Sequence, residues 1–425
     1  MKSVLVLGLV GLFFASTLLA ETITVRPEQN LQAAVTKLQA GDTLVLEDGI
    51  YHQSFKLTRK TGGASITIKA KTPGRAILTG AMAQPPVFTK HQGAIYKAPW
   101  TLKSLRATGS TGQAFVMADE RCLFNYRSLL ETFNLGGVPL EGFFVGNDGL
   151  FLRLLGDADP AKVKLQVSRP DITNLVEIQG EDIVLEGLHL QIAPNIGILI
   201  KATSKRITIS DCAFTGCYTG VENMAKGAVD ITIERCQFDK YPAYQWMRYG
   251  QMQKGGNQWR AMYNSTFGSA GIVPGSNNVA RFRVRNCYIH DQWDGIQGVM
   301  ALAKDPALEN EYAYNFFQNC CDDSIEFDST EYAGVRVHHN VFLDGFCLLG
   351  LSPVQGGGVT IEDNLFYVSP EYGLPWGVVC KFSTFRGLVF KPWSGIVLRR
   401  NSIVATKCAF QWGTSPQKDG KAYFA

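Results

Sequence analysis

Two short segments concentrate the carboxylates of this chain: Asp294-Gly-Ile-Gln297 and, about thirty residues later, Asp322-Asp-Ser-Ile-Glu326. If both occupy the same place on successive turns of a repeating structure, Asp294, Asp322, Asp323 and Glu326 converge on one patch. Like charges roughly 5 Å apart repel, so at least one carboxyl must hold its proton more tightly. Such a group can serve as a general acid while its neighbour, still ionised, serves as a base. The same cluster also suits a hard cation, with Asp323 and Glu326 as candidate calcium ligands. Asp-Gly is in addition an ordinary turn pair, but three acidic positions so close need more than turn capping. His290 and Asp291, in His290-Asp-Gln-Trp-Asp294-Gly, adjoin the patch and make His290 a candidate substrate contact.

The elements that would position these groups repeat. Ile183–Leu190 (IVLEGLHL), Ile207–Phe214 (ITISDCAF), Ile231–Phe238 (ITIERCQF), Phe282–Ile289 (FRVRNCYI), Val335–Phe342 (VRVHHNVF), Val359–Phe366 (VTIEDNLF) and Ile396–Ile403 (IVLRRNSI) share one template. Their starts lie 24, 24, 51, 53, 24 and 37 residues apart, and Asn310–Phe317 (NEYAYNFF) is a degenerate copy inside the gap of 53. A fixed period of this size means stacked supersecondary units. Alternation every second residue makes the repeated element a strand, and the spacing leaves no room for a crossover helix. Three short strands with turns fill one period, which predicts an all-β, right-handed parallel β-helix. The sixth template position carries Cys212, Cys236 and Cys287, then Asn315, Asn340, Asn364 and Asn401. Stacked coil upon coil, these form an internal thiol column continued by an asparagine ladder, a structural role for both. The two histidines of the Val335 copy, His338 and His339, are expected on opposite faces of their strand.

Composition sets outer limits. Net charge is +4, 18% of residues are charged and 46% are apolar. That is a globular chain without the long basic runs of a nucleic-acid coat. Lys2, the apolar run Val4–Ala20 and the small Ala20 before Glu21 read as a secretory signal peptide, 1–20, implying a secreted or periplasmic monomer with no membrane span after its removal. The chain then divides into an N-terminal cap and first coils (21–83), with an amphipathic capping helix at Leu31–Leu38, an inserted antiparallel β subdomain (84–170) and the main β-helix (171–425). Loop departures from the template fall near 240–280 and 369–395. The first is rich in aromatic residues and contains Trp246, Lys254, Trp259 and Arg260; the second contains Lys381 and Arg386. Aromatic faces suit sugar rings, so Trp246, Trp259, Lys254 and Arg260 are candidate substrate contacts.

The Ile23–Tyr51 block and the coils from Gly180 to about Asn401 resemble the secreted polysaccharide-active β-helix proteins of the pectate-lyase-like superfamily, which include alginate lyase and chondroitinase B relatives. The DGI-type Asp294 followed one coil later by Asp322-Asp323 is similar to the polygalacturonase-like glycoside hydrolases. Those enzymes carry a His in register one coil further on; here that stretch is Asp344-Gly-Phe-Cys-Leu348, with none. Lyases of the alginate type use a Lys base, a supporting Arg and a Ca²⁺ held by acidic and Asn ligands, with a Lys-Ser pair where this chain has Asp328-Ser329. Lys254 and Arg260, or Lys381 and Arg386, would then have to substitute from a loop.

The reading that these residues favour is acid/base hydrolysis of an acidic polysaccharide by Asp294, Asp322 and Asp323, with no cofactor required. A Ca²⁺-dependent polysaccharide lyase and a non-catalytic glycan-binding scaffold are the alternatives.

Overall fold

After the first turn, which supplies only Thr22–Val25 and a helix, the coils of the computed structural model each contribute one strand to each of three parallel ladders. The residues described are 20–59, 63–100, 114–126, 134–135, 138–139, 141–239, 270–275, 279–297, 309–327, 330–331, 334–351, 354–355, 358–370, 377–383, 395–405 and 408–413. The first ladder is the sequence template itself, running from Thr22–Val25 through Glu181–Glu186, Lys205–Ser210, Gly227–Glu234, Val279–Arg285, Asn310–Ala313, Val335–His338 and Val359–Glu362 to Ile396–Arg399. Its alternating pattern buries one face: Ile183, Ile207, Ile231, Phe282, Val335 and Val359 stack in register and are fully buried.

A corner follows each of these strands. Asp211, Arg235, Asn286, Tyr314, His339, Asp363 and Arg400 hold it in the left-handed region, with φ between 51° and 58°. The next residue is the Cys/Asn position. Asn315, Asn340, Asn364 and Asn401 form a ladder: each side-chain amide donates to the next asparagine Oδ1 at 3.0 Å, which also accepts the preceding backbone N–H. The donors left over reach corner carbonyls such as Tyr312 O and Val337 O. Buried turn amides are thereby satisfied without water. All ten cysteines are free thiols, and Cys212, Cys236 and Cys287 are buried in the same column.

The second ladder takes the end of the template, as in Ala213–Thr215, Gln237–Asp239 and Tyr288–His290. Its inward phenylalanines stack face to face, Phe214 on Phe238 at 4.5 Å and Phe317 on Phe342 at 4.7 Å between centroids. The third ladder includes Ile196–Ile200, Thr219–Asn223, Ala270–Val273, Asp294–Gln297, the second halves of Phe316–Glu326 and Val341–Gly350, Val378–Ser383 and Cys408–Gly413. Two expected loop departures are therefore shorter than their predicted bounds. The chain rejoins the coil at Ala270, inside 240–280, and Val378–Ser383 is a coil strand inside 369–395.

At the N-terminal end a seven-residue helix, Leu31–Lys37, buries Leu31 and Val35; Asn30 caps it by accepting from Ala33 N. Between Ala76–Thr79 and Asn174–Gln179 the chain leaves the coil and builds antiparallel pairs, Gly142–Gly146 with Gly149–Arg153 and the latter with Ile95–Ala98. One parallel pair, Phe124–Asn125 with Gly142–Phe143, joins them. These strands enclose their own core of Trp100, Val116, Leu123, Phe143, Leu150 and Leu152. Among the described residues no helix is long and apolar enough to cross a membrane.

Candidate active site

Asp294 opens its strand on the third ladder, and Asp323 lies on the next coil, where Ile296 pairs with Ile325 and Gln297 with Glu326. The register brings the two aspartates together: Asp323 N donates to Asp294 Oδ1 at 2.9 Å. Asp322 is anchored just before, its N–H bonded to Trp293 O at 2.9 Å. Asp294, Asp322 and Asp323 each place one carboxylate oxygen within 4.8 Å of the other two, and no other group of three potential metal ligands does so among the described residues.

Burial divides the cluster. Asp294 is 1% exposed and Asp323 0%, whereas Asp322 and Glu326 are half-buried. Burial, and then the charges of Glu326, Asp322 and Asp323, push the Asp294 carboxyl far above its usual range. Glu326 is pushed up to about 7, chiefly by burial and next by Asp323; the Gln297 amide and Lys381 oppose the shift.

Lys381 is the residue that sequence reasoning misplaced. It sits on Val378–Ser383, in register with Gly350 and through it with Glu326, and its Nζ donates to Asp323 Oδ2 at 2.9 Å. Gly350 makes this possible. A Cβ there would lie 2.5 Å from Asp323 Oδ2 and 2.7 Å from Cγ, so the carboxylate occupies the space of the missing side chain. The other oxygen, Asp323 Oδ1, is buried with no hydrogen-bond partner. A buried carboxylate oxygen with no partner is costly, and a cation supplies what it lacks.

The signal that could have found Lys381 is one of alignment. Asp323-Ser-Ile-Glu326, Cys347-Leu-Leu-Gly350 and Val378-Val-Cys-Lys381 superpose residue for residue. Asp323 pairs with Cys347, 24 residues on, after a register shift from the 25-residue spacing that pairs Phe316 with Val341.

His290 stands apart from this cluster on the second ladder. Its Nδ1 lies 2.7 Å from Asp291 Oδ2, its Nε2 3.2 Å from Gln237 Nε2, and its ring stacks on Tyr288. Trp246, Lys254, Trp259 and Arg260, with Asp328, Ser329 and Arg386, lie outside the described residues.

No known family model matches the chain, and no curated protein matches it. Solved structures do. XylC, in a complex with xylose, superposes with a TM-score of 0.51 at 13% identity, covering 91% of this chain and 70% of that one. The chain is, in fold, a right-handed parallel β-helix. The pectate lyase Pel9A gives a TM-score of 0.46 at 12% identity over 92% of this chain and 78% of that one. A family 6 polysaccharide lyase from Pseudopedobacter saltans gives 0.38 at 11% identity over 85% and 62%. At 13% identity the likeness to XylC speaks to fold alone, and the chemistry has to be argued from the chain's own residues.

Proposed function

We propose that this β-helix cleaves an acidic polysaccharide by β-elimination at the Asp294–Asp322–Asp323–Lys381 site, and that it does so outside the cytoplasm, delivered by the leader 1–20. The observation that carries the reading is the 2.9 Å approach of Lys381 Nζ to a buried acidic cluster. The expected hydrolytic pair fits less well. Acid and base in an inverting hydrolase stand about 6.5–9.5 Å apart, whereas one oxygen of each of these carboxylates lies within 4.8 Å of the other two. Asp294 and Asp323 are also almost fully buried, at 1% and 0% exposure.

Asp294, Asp322 and Asp323 suit a hard divalent cation such as Ca²⁺. Oxygens opposed across such an ion, at about 2.3–2.6 Å each, stand up to about 5 Å apart, and Asp323 Oδ1 is already without a partner. A cation held there would supply positive charge to the uronate carboxylate and so acidify the neighbouring C–H. Lys381 is the base in this reading. While Asp323 holds it as ammonium it has no lone pair to offer, so its role requires that carboxylate to be engaged elsewhere. The amine then takes the proton from the carbon next to the uronate carboxyl, and the C–O bond to the leaving sugar breaks as the double bond forms. Glu326, half-buried and pushed up to about 7 chiefly by burial, is the candidate acid for the departing oxygen.

One observation favours a second reading. Glu326 has the proton affinity of a hydrolase general acid. Incubation with a panel of uronate-containing polysaccharides separates the two. Elimination yields an unsaturated uronate that absorbs in the near ultraviolet; new reducing ends without that absorbance mean hydrolysis. If neither product forms on any glycan that binds, both enzymatic readings fall.

A further inference from the structure

Two cations have a claim on Asp323. Its Oδ2 accepts from Lys381 Nζ at 2.9 Å, while its Oδ1 is buried with no hydrogen-bond partner. One oxygen of Asp323 also lies within 4.8 Å of an oxygen of Asp294 and of Asp322, the span of a hard divalent ion. An ion held there at about 2.3–2.6 Å from its oxygens would stand within about 8 Å of an ammonium on the same carboxylate. At the effective dielectric of a protein site, repulsion between a double and a single positive charge at that range exceeds the net contribution of one charge-assisted hydrogen bond. One contact has to yield, and mobility decides which. The Asp323 side chain is 0% exposed, whereas that of Lys381 is 24% exposed and rides on a flexible four-carbon stem. Gly350, in register with Lys381 on the preceding coil, adds no side chain to hold that stem in place.

We infer that the Asp323–Lys381 contact is an autoinhibitory latch: a divalent cation drawn to Asp294, Asp322 and Asp323 displaces the Lys381 ammonium from Asp323 Oδ2 and releases it toward the substrate. What the released lysine then does rests on the elimination reading, but the exchange itself is a competition of two cations for one carboxylate. Until the divalent ion arrives, Lys381 supplies the positive charge that the buried Asp323 needs, so the cluster keeps its fold while the base is held back. The coupling is reciprocal. Whatever cation binding takes from the Lys381 contact, that contact takes from cation affinity.

Two measurements on the full chain test this, with Ca²⁺ as the probe. The first needs no variant: an amine-reactive reagent is applied to the wild type and its attachment at Lys381 is read by peptide mass spectrometry. Labelling should be slow in chelator and about 10–100-fold faster in saturating Ca²⁺, the equivalent of one charge-assisted hydrogen bond. Lys71, which pairs with Glu47 on the N-terminal coils, should label at one rate throughout. The second is calorimetry. Lys381→Met, with no latch to open, should bind Ca²⁺ about 10–100-fold more tightly than the wild type, and Lys381→Arg, which keeps the charge, should gain nothing. Lys381 equally protected with and without Ca²⁺, unaltered Ca²⁺ affinity in folded Lys381→Met, or no Ca²⁺ binding by the wild type would each overturn the latch. Unsaturated product formed while Lys381 stays protected would leave elimination standing without the latch; release of Lys381 with only reducing ends formed would leave the latch standing without elimination.

Discussion

Gly350→Ala adds one methyl group to the candidate site and so probes its geometry. The new Cβ would sit 2.5 Å from Asp323 Oδ2, 2.7 Å from Cγ and 2.9 Å from Oδ1. Carbon contacts become comfortable at about 3.5 Å, so the carboxylate must retreat by about 1 Å. That stretches the Lys381 contact from 2.9 Å to about 3.9 Å, beyond hydrogen-bond range. Parting a buried carboxylate from its cation costs about 3–5 kcal/mol. Lys381 keeps 24% side-chain exposure and can follow part of the way, so the loss should fall near the lower end, about 3 kcal/mol. Backbone strain does not enter, because Gly350 is not among the residues with positive φ. The assay is a double-mutant cycle by equilibrium unfolding in guanidinium. Asp323→Ala removes the group that the methyl meets, so Gly350→Ala should cost under about 1 kcal/mol in that background. If the two substitutions simply add, the carboxylate does not lie over Gly350 and the site geometry is wrong.

Three further outcomes are expected. Asn340→Ala removes four hydrogen bonds, from Asn315 N and Nδ2 and to Tyr312 O and Asn364 Oδ1; several buried groups lose partners, and the unfolding midpoint should fall by the equivalent of about 2–4 kcal/mol. Glu362 is held down to about 2 by Arg399 and Arg336, with Arg400 also bonded to it. Its folded pKa lies below the ordinary 4.5, so its stabilisation is present above that value and is lost as pH falls from there toward 2; Glu362→Gln should flatten that limb of the stability curve. Glu326 shifts the other way, to about 7, so its carboxylate costs stability as pH rises from its unfolded value through 7. Glu326→Gln should therefore raise the unfolding midpoint above neutral pH and leave it little changed near pH 4.

Much of this structure could be read from residue spacing, because a solenoid repeats its own ruler. The template located the first ladder, the thiol column and the asparagine ladder, each a property that recurs once per coil. It also paired Asp294 with Asp322 and Asp323, which follow it by one coil. It failed where the coil is irregular. Gly350 has no side chain to mark its place beside Asp323, and the stretch before Val378 is long enough that Lys381 read as part of a loop. His338 and His339, expected on opposite faces, have their Nδ1 atoms 2.9 Å apart, because alternation holds along a strand and His339 has already turned the corner. Burial was not legible at all. Nothing in the spacing said that Asp294 and Asp323 would be buried while Glu326 stayed half-exposed; the approach of Lys381 to that buried pair is what moves the proposed chemistry from hydrolysis to elimination.

The most direct test of that chemistry is Lys381→Arg, assayed on the uronate polysaccharide that the wild type cleaves. Arginine keeps the positive charge that Asp323 needs, so the fold and the acidic cluster should survive, but a guanidinium cannot act as a base near neutral pH. The account predicts an intact unfolding midpoint, retained substrate binding and loss of the near-ultraviolet signal of the unsaturated product. Undiminished product from Lys381→Arg, or wild-type cleavage that yields reducing ends without unsaturation, would contradict it.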